Sequence, residues 1–330
     1  MTHPREVLFE AGELPPDLPV CDHYAGVEER MRKSLQLQAE LGPVFDVTLD
    51  NEDGAPVGGE LEHAHLIVSL LSSGDNRFGR VGVRILPVEH RRFADVLGIV
   101  LASATPPAYL MLPKPNDLAD LERAAGAIDA AGGAAIPLHA LIETHGALRD
   151  VQALAAHPRI ESLSFGLMDF VSAHRGAIPQ SAMGVPGQFE HPLVVRAKLE
   201  ISAACHAAGK VPSHCVVTEF KHASAIQAAA TQACRQFGYT RMWSIHPSQV
   251  KPIIDAFSPT TAEVDLAIEI ILAAQAADWA PIQHRDTLHD RASYRYFWHV
   301  IERAHRTSFA GGSQLPTQVR EALFHEPGIV

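Results

Sequence analysis

Polar residues recur at a nearly fixed interval, each at the end of a short apolar run. Glu52 follows VFDVTLD, Arg84 lies in VGVRIL, Lys114 closes AYLMLPK, Glu143 lies in LIET and Asp169 follows IESLSFG. From position 52 they fall at 84, 114, 143 and 169, in steps of 32, 30, 29 and 26 residues. One βα unit of an eightfold barrel of roughly 250 residues needs about 31. A doubly wound open sheet has units of similar length, so spacing alone does not choose between them. Two further observations do. Eight strand candidates are present, most with a polar residue at the C-terminal end, and no G-x-G-x-x-G follows the first strands. The expected fold is therefore α/β, a (β/α)8 TIM barrel.

The eight candidates are LPVCDHY near residue 20, VFDVTLD ending at Asp50, VGVRIL around Arg84 and AYLMLPK ending at Lys114. They continue with AAIPLHALIET ending at Thr144, IESLSFG ending at Gly166, SHCVVTE ending at Glu219 and RMWSIHP ending at Pro247. Stretches of helical periodicity separate many of them. VEERMRKSLQLQAELG ends in the stop signal Gly42-Pro43, and NDLADLERAAGAIDAAGG opens on the N-cap candidates Asn116 and Asp117. Helix alternating with strand is the mark of a mostly parallel sheet. The expected organisation is a barrel over residues 1–257 with a short N-terminal lead-in, and a C-terminal helical extension over 258–330. After about residue 283 the aromatic-rich stretch HRDTLHDRASYRYFWHVIERAHRTSF reads as one or two helices.

Composition narrows the function. Against 27 Lys and Arg stand 38 Asp and Glu, a formal charge of −11 over 330 residues. Nucleic-acid binding by counterion release needs a basic face, so this balance argues against a nucleic-acid partner. No apolar run reaches the ~18 residues of a membrane span. The opening MTHPREVLFEAGELPPD lacks a signal-peptide core, and the four cysteines form no C-x-x-C pair, so a reducing cytoplasm is the expected location.

Glu143 and Asp169 close successive strands, so a barrel brings both carboxylates to one mouth. An oxygen-only pair suits a hard divalent cation, Mg²⁺ above all, which keeps positions for water and substrate. The competing assignment is two separate carboxylates that cap helices or pair with basic residues. Arg84 sits in a strand buried on both faces and needs a partner; it is a structural ion pair or a fork for a substrate carboxylate or enolate oxygen. Glu52 or Asp53 would orient Arg84, hold a metal-bound water or cap a helix. Lys114 precedes Pro115, which favours an extended backbone, and would bind an anion or form a Schiff base. His246 in SIHPSQ reads as a structural histidine or a proton-transfer and substrate contact. In EHAH, residues 62–65, the two His would share a face only on a strand.

Taken in order, LDNEDG, VRI, LPKP, LIET, FGLMD and IHPSQ resemble the citrate lyase beta subunit-like branch of the HpcH/HpaI aldolase/citrate lyase family, over roughly residues 18 to 257. The resemblance implies a barrel assembled as a homo-oligomer, a trimer or hexamer, that cleaves or forms a carbon–carbon bond beside a carbonyl. It implies Mg²⁺ as cofactor and a coenzyme A thioester such as malyl- or citramalyl-CoA as substrate. It assigns Glu143 and Asp169 to the metal, Arg84 to the substrate and Glu52 to the metal-water shell. Where the family often has Gly-Lys, with a lysine that contacts coenzyme A, this chain has Arg241 and Met242; Arg241 is the substitute contact. Asp, common in the family's seventh strand, is absent from SHCVVTE. The leading expectation is a Mg²⁺-dependent lyase working by retro-aldol cleavage. The alternatives are an aldolase of free 2-keto acids without coenzyme A, and a non-catalytic ligand-binding homologue.

Overall fold

The computed structural model describes residues 3–10, 14, 16–308 and 315–324. The chain separates into two compact units. One is Pro16–Ala256; the other joins Met1–Pro15 to Phe257–Val330. The N-terminal residues thus cluster with the C-terminal ones, whereas the sequence had suggested a lead-in to the barrel.

The second unit begins with the short helix α1 (Pro4–Leu8). In the first unit, eight strands close into a barrel in chain order, every neighbouring pair parallel. They are β1 (Cys21–Ala25), β2 (Asp46–Asp50), β3 (Val81–Arg84), β4 (Leu110–Leu112), β5 (Leu138–Ile142), β6 (Ile160–Phe165), β7 (Val211–His214) and β8 (Arg241–Ser244). Between them run α2 (Glu28–Leu41), α3 (Glu60–Leu71), α4 (Phe93–Leu101), α5 (Leu118–Ala130), α6 (His145–Arg149), α7 (Val151–Ala156), α8 (Leu167–Ser172), α9 (Pro192–Ala207) and α10 (Ala223–Phe237), and α11 (Pro247–Phe257) follows β8. The (β/α)8 barrel is therefore the observed architecture. The local signals behave as chemistry requires. Gly42 ends α2 at φ +85°, a region closed to most side chains, and the Asp117 side chain caps α5 by accepting from the Asp120 N–H. The seventh strand is displaced from its expected span. It runs over 211–214, and Val216–Glu219 have already left the sheet.

Strand register fixes which side chains fill the barrel, since paired residues on parallel strands face the same side. Asp22 pairs with Asp46 and Trp243, Thr48 with Gly82, Asp50 with Arg84, and Met111 with His139. Near the N-terminal end this interior is polar. Tyr109 reaches across to Thr48 and Asp22 at 2.7 and 3.0 Å, and its ring stacks on His139 at 4.0 Å. Gly82 makes room for it, because a Cβ there would overlap the Tyr109 ring.

Arg241 belongs to this end of the barrel, and its expected coenzyme A role does not survive. As the first residue of β8 it is fully buried, with Nη1 donating to Asp46 at 2.7 Å and to the Pro19 carbonyl at 2.8 Å, and Nη2 3.2 Å from Asp22. It neutralises two buried carboxylates far down the strand from the mouth. Burial still raises the Asp46 carboxyl against the pull of Arg241.

In the second unit α12 (Thr261–Ala276) starts with a capping box, the Thr260 hydroxyl on the Glu263 N–H and the Glu263 carboxylate on the Thr260 N–H. Next come β9 (Ile282–His284), β10 (Thr287–His289), α13 (Arg291–Thr307) and α14 (Thr317–Leu323). The β9–β10 hairpin replaces helix where only helix was expected. Arg285 and Asp286, at φ +45° and +61°, form the left-handed pair that a two-residue hairpin turn needs. Leu8, Ile270, Trp298 and Ile301 share this unit's core. Among the described residues no helix is long and apolar enough to cross a membrane.

Removing Arg241 should leave Asp22 and Asp46 buried without their cation. Arg241→Ala is expected to lower unfolding stability by about 3–5 kcal/mol, read from the urea midpoint. A variant of unchanged midpoint would refute the ion-pair assignment.

Candidate active site

The C-terminal ends of β2 and β3 build the centre of the mouth. Because Asp50 and Arg84 are register partners, their side chains meet. Arg84 Nε donates to Asp50 Oδ1 at 2.5 Å and Nη2 to Oδ2 at 2.9 Å, a planar two-point pairing. Asp50 also accepts from the Tyr24 hydroxyl and from the backbone N–H groups of Glu52 and Gly54. Burial works against ionising Asp50, but the bonds and charge of Arg84 outweigh it and hold the carboxyl below the usual range. The LDNEDG loop can wrap this closely only because residue 54 lacks a side chain. A Cβ at Gly54 would lie 2.5 Å from Gly26 Cα and 2.7 Å from Asp50 Oδ2.

Around this pair the remaining charges interlock. Arg84 Nη1 lies 3.0 Å from Glu52 Oε2, and Nη2 donates to Asp53 Oδ2 at 3.1 Å. The guanidinium stands over the Tyr24 ring, 5.0 Å from its centroid, and Tyr24 stacks on Trp243. The Glu52 carboxylate also accepts from Lys114 Nζ, so it bridges the two cations. Glu52, expected in a metal-water shell beside Glu143 and Asp169, is held between Lys114 and Arg84. Burial, more than these cations offset, raises its carboxyl.

Lys114 departs from the expected extended backbone and sits at φ +50°. That conformation costs of order 1–3 kcal/mol and is held from both ends. The Lys114 N–H donates to Glu143 Oε1 at 2.8 Å, and its ammonium is tied to Glu52, with Asp53 at 3.7 Å and Asp169 at 3.9 Å. Although burial opposes it, these acids push the ammonium up to about 12. A Schiff-base lysine must shed its proton to attack a carbonyl, so this environment disfavours that chemistry.

Glu143 follows β5 and is 3% exposed, while Asp169 sits half-exposed in the first turn of α8. Burial, then the charge of Asp169, pushes the Glu143 carboxyl up to about 8. Gly166 lies against Glu143, and a Cβ there would overlap its carboxylate. Two cavities meet at this pair. One, of about 220 Å³, dips into the barrel mouth past Arg84 and Asp53. The other, of about 610 Å³, opens over Lys114, Asn116 and His145. Glu143 and Asp169 line both. Among the described residues no group of three or more His, Cys, Asp or Glu is placed to hold one ion.

Other sequence candidates lie elsewhere. His246 lies just past β8, exposed, bonded to Ser248 and stacked on Phe220 at 4.9 Å; it lines neither cavity. EHAH lies in α3, where His63 bonds the Asp50 carbonyl at 2.9 Å. Asp290 caps α13. Two residues of the site, Asp50 and Tyr24, were not singled out from sequence. The available signal was period two: counting inward from Arg84 on the neighbouring strand picks out Asp46, Thr48 and Asp50.

With this geometry in view, the chain can be set beside known proteins. The HpcH/HpaI aldolase/citrate lyase family profile matches residues 47–247. The structure is similar to that of a citrate lyase from Burkholderia xenovorans LB400, with 53% identity, a TM-score of 0.84, and 98% of this chain and 100% of that chain covered. It shares its fold with protein CitE from Mycobacterium tuberculosis in complex with magnesium, acetoacetate and coenzyme A, at 18% identity and a TM-score of 0.68, covering 88% and 99%. In sequence, a (3S)-malyl-CoA thioesterase from Cereibacter sphaeroides is 27% identical over 78% of this chain and 82% of its own. An L-malyl-CoA/beta-methylmalyl-CoA lyase from Rhodobacter capsulatus is 26% identical over 64% and 72%.

Two measurements test the Glu143 environment. An acid whose folded pKa is raised binds protons in the folded state that the unfolded chain has released. Its contribution therefore erodes between the ordinary value of 4.5 and about 8. Without divalent cation, the Tm of the wild type should fall more steeply from pH 5 to pH 8 than that of Glu143→Gln; parallel curves would contradict the assignment. Gly166→Ala, whose added Cβ meets the Glu143 carboxylate, should lower the Tm, and an unchanged Tm would exclude that contact.

Proposed function

The chain belongs to the HpcH/HpaI aldolase/citrate lyase family and is a carbon–carbon lyase; on that premise we propose that it is a divalent-cation-dependent enzyme that cleaves a 3-hydroxyacyl-coenzyme A to a 2-oxo acid and an acyl-coenzyme A by a retro-aldol step. The observation that carries this reading is the Glu143–Asp169 pair, shared by two cavities and flanked by Arg84. The donor set fits the cation. Glu143 is buried beside a second carboxylate, with the Lys114 N–H its one bonded partner among the described residues, and an oxygen-bound dication relieves that repulsion. The magnesium in the Mycobacterium tuberculosis complex supports this choice. Held by Glu143 and Asp169, Mg²⁺ would supply Lewis-acid polarisation of the substrate oxygen that becomes a carbonyl.

The chain's own residues do the rest. Asp53, whose side chain is 57% exposed and lines the smaller cavity, is the carboxylate placed to take the substrate hydroxyl proton. As the carbon–carbon bond breaks, its electron pair passes to the acyl fragment as an enolate. Arg84, pinned by Asp50, faces that negative charge without having to reorganise. Glu52 and Lys114 are positioning residues: Glu52 spaces the two cations, and Lys114 holds Glu143 through its backbone. Cytoplasmic location and a trimer or hexamer are part of the same proposal.

The burial of Arg241 favours a second reading, in which a free 4-hydroxy-2-keto acid replaces the thioester. Coenzyme A separates the two. A ligand bound only by the folded state raises the Tm, so a shift at saturating coenzyme A supports the thioester and its absence the free acid.

The test is a panel of 3-hydroxyacyl thioesters and 4-hydroxy-2-keto acids, followed by release of a 2-oxo acid with Mg²⁺ present. Glu143→Ala and Asp169→Ala are expected to lower kcat/KM by at least a thousandfold and to abolish Mg²⁺ binding in calorimetry. Normal Mg²⁺ affinity in both variants would overturn the metal assignment.

A further inference from the structure

The mouth of the barrel is two-sided. Its charged groups, Asp50, Glu52, Asp53, Arg84, Lys114, Glu143 and Asp169, follow β2 through β6. The apolar part of the 220 Å³ cavity's lining comes from the end of β6, the start of α8, the end of β8 and the residue after it, and the segment after β7; it consists of Phe165, Leu167, Met168, Val216, Trp243 and Ile245, with Leu141 of β5. Thr218 adds one hydroxyl and no charge. The wall is also set in place. Trp243 donates its indole N–H to Asp22 at 3.0 Å and stacks on Tyr24, and Phe165 packs edge-on against Phe170 at 5.3 Å. Arg84 is the one cation among the residues that line this cavity, and Asp50, Glu52 and Asp53 already engage it.

A second carboxylate pushed toward this wall would lose its water and find no cation, which is strongly unfavourable. A bare hydrogen would leave apolar surface unfilled. Resting on the reading above, we propose that this wall is a specificity pocket: the 2-oxo acid fragment of the substrate carries an apolar chain of two or more carbons. Its carboxylate and carbonyl face the Glu143–Asp169 side, and the chain lies against Trp243, Phe165 and Val216. This sets the enzyme apart from one built for a glyoxylate or oxaloacetate fragment, which presents no apolar chain.

The experiment is a binding series with Mg²⁺ present: glyoxylate, pyruvate, 2-oxobutyrate, 4-methyl-2-oxopentanoate and oxaloacetate. Calorimetry gives affinity, and quenching of indole fluorescence gives a second readout, since Trp243 lines the cavity whereas Trp279 and Trp298 belong to the other unit. Affinity should rise about tenfold per added methylene from pyruvate to 2-oxobutyrate, rise again for the branched chain, and be lowest for oxaloacetate and glyoxylate. Val216→Arg, which places a cation on the wall, should move the preference toward oxaloacetate; Val216→Ala, a smaller change to the same wall, should weaken the longest chain most. Equal affinities along the series, or tightest binding of oxaloacetate by the wild type, overturn the pocket while leaving the lyase reading intact. Binding of none of the five overturns both.

Discussion

Arg84 and Asp50 meet through two parallel hydrogen bonds at the top of adjacent strands, both nearly out of reach of water. An arginine at that depth is tolerable only when a carboxylate faces it in good geometry. Once present, the pair organises its surroundings. Asp50 draws in the backbone of the loop that follows, which carries Glu52 and Asp53, and Arg84 then gathers both side chains. Tyr24 closes the arrangement by donating to Asp50 and lying against the guanidinium. The mouth of the barrel is ordered outward from this one interaction.

The next layer transmits that order to the carboxylate pair. Glu52 fixes the Lys114 ammonium, and Lys114, in its strained left-handed conformation, points its N–H at Glu143. Gly166, just past the next strand, lies against Glu143 and leaves it little freedom. A buried carboxyl with a like charge beside it is costly on its own, and strain of this kind persists where the surroundings over-determine it. The end of β6, the start of α8, Trp243 of β8 and the segment after β7 bring apolar side chains to the same mouth, beside these charges.

The opposite end of the barrel repeats the chemistry for a different purpose. Asp22, Asp46 and Arg241 are buried charges that satisfy one another, with Thr48, Tyr109 and Trp243 completing the bonds. On the sequence, Arg241 and Arg84 look alike, each an arginine in a buried strand. Position along the strand separates them. Arg84 ends β3 and reaches the mouth, whereas Arg241 begins β8 and is sealed inside.

Much of this was readable from residue order. The regular spacing of polar strand ends reflects a repeating βα unit, and the eight strand candidates, with no dinucleotide-binding glycine motif after the first, pointed to a barrel and not an open sheet. The positions of Arg84, Lys114, Glu143 and Asp169 at one rim follow, because every strand is parallel and every C-terminal end lies on the same side. Capping chemistry at Gly42 and Asp117 was equally local. What the sequence could not decide were contacts between residues far apart in the chain. The bond between Glu52 and Lys114 spans 62 residues and that between Asp46 and Arg241 spans 195, and each depends on barrel closure and register, not on neighbouring residues. The φ of Lys114 likewise overrides the preference set by Pro115, since Glu143 and Glu52 hold it from outside the local chain. Local sequence determined the elements and the rim; the closed register of the barrel decided which charges meet.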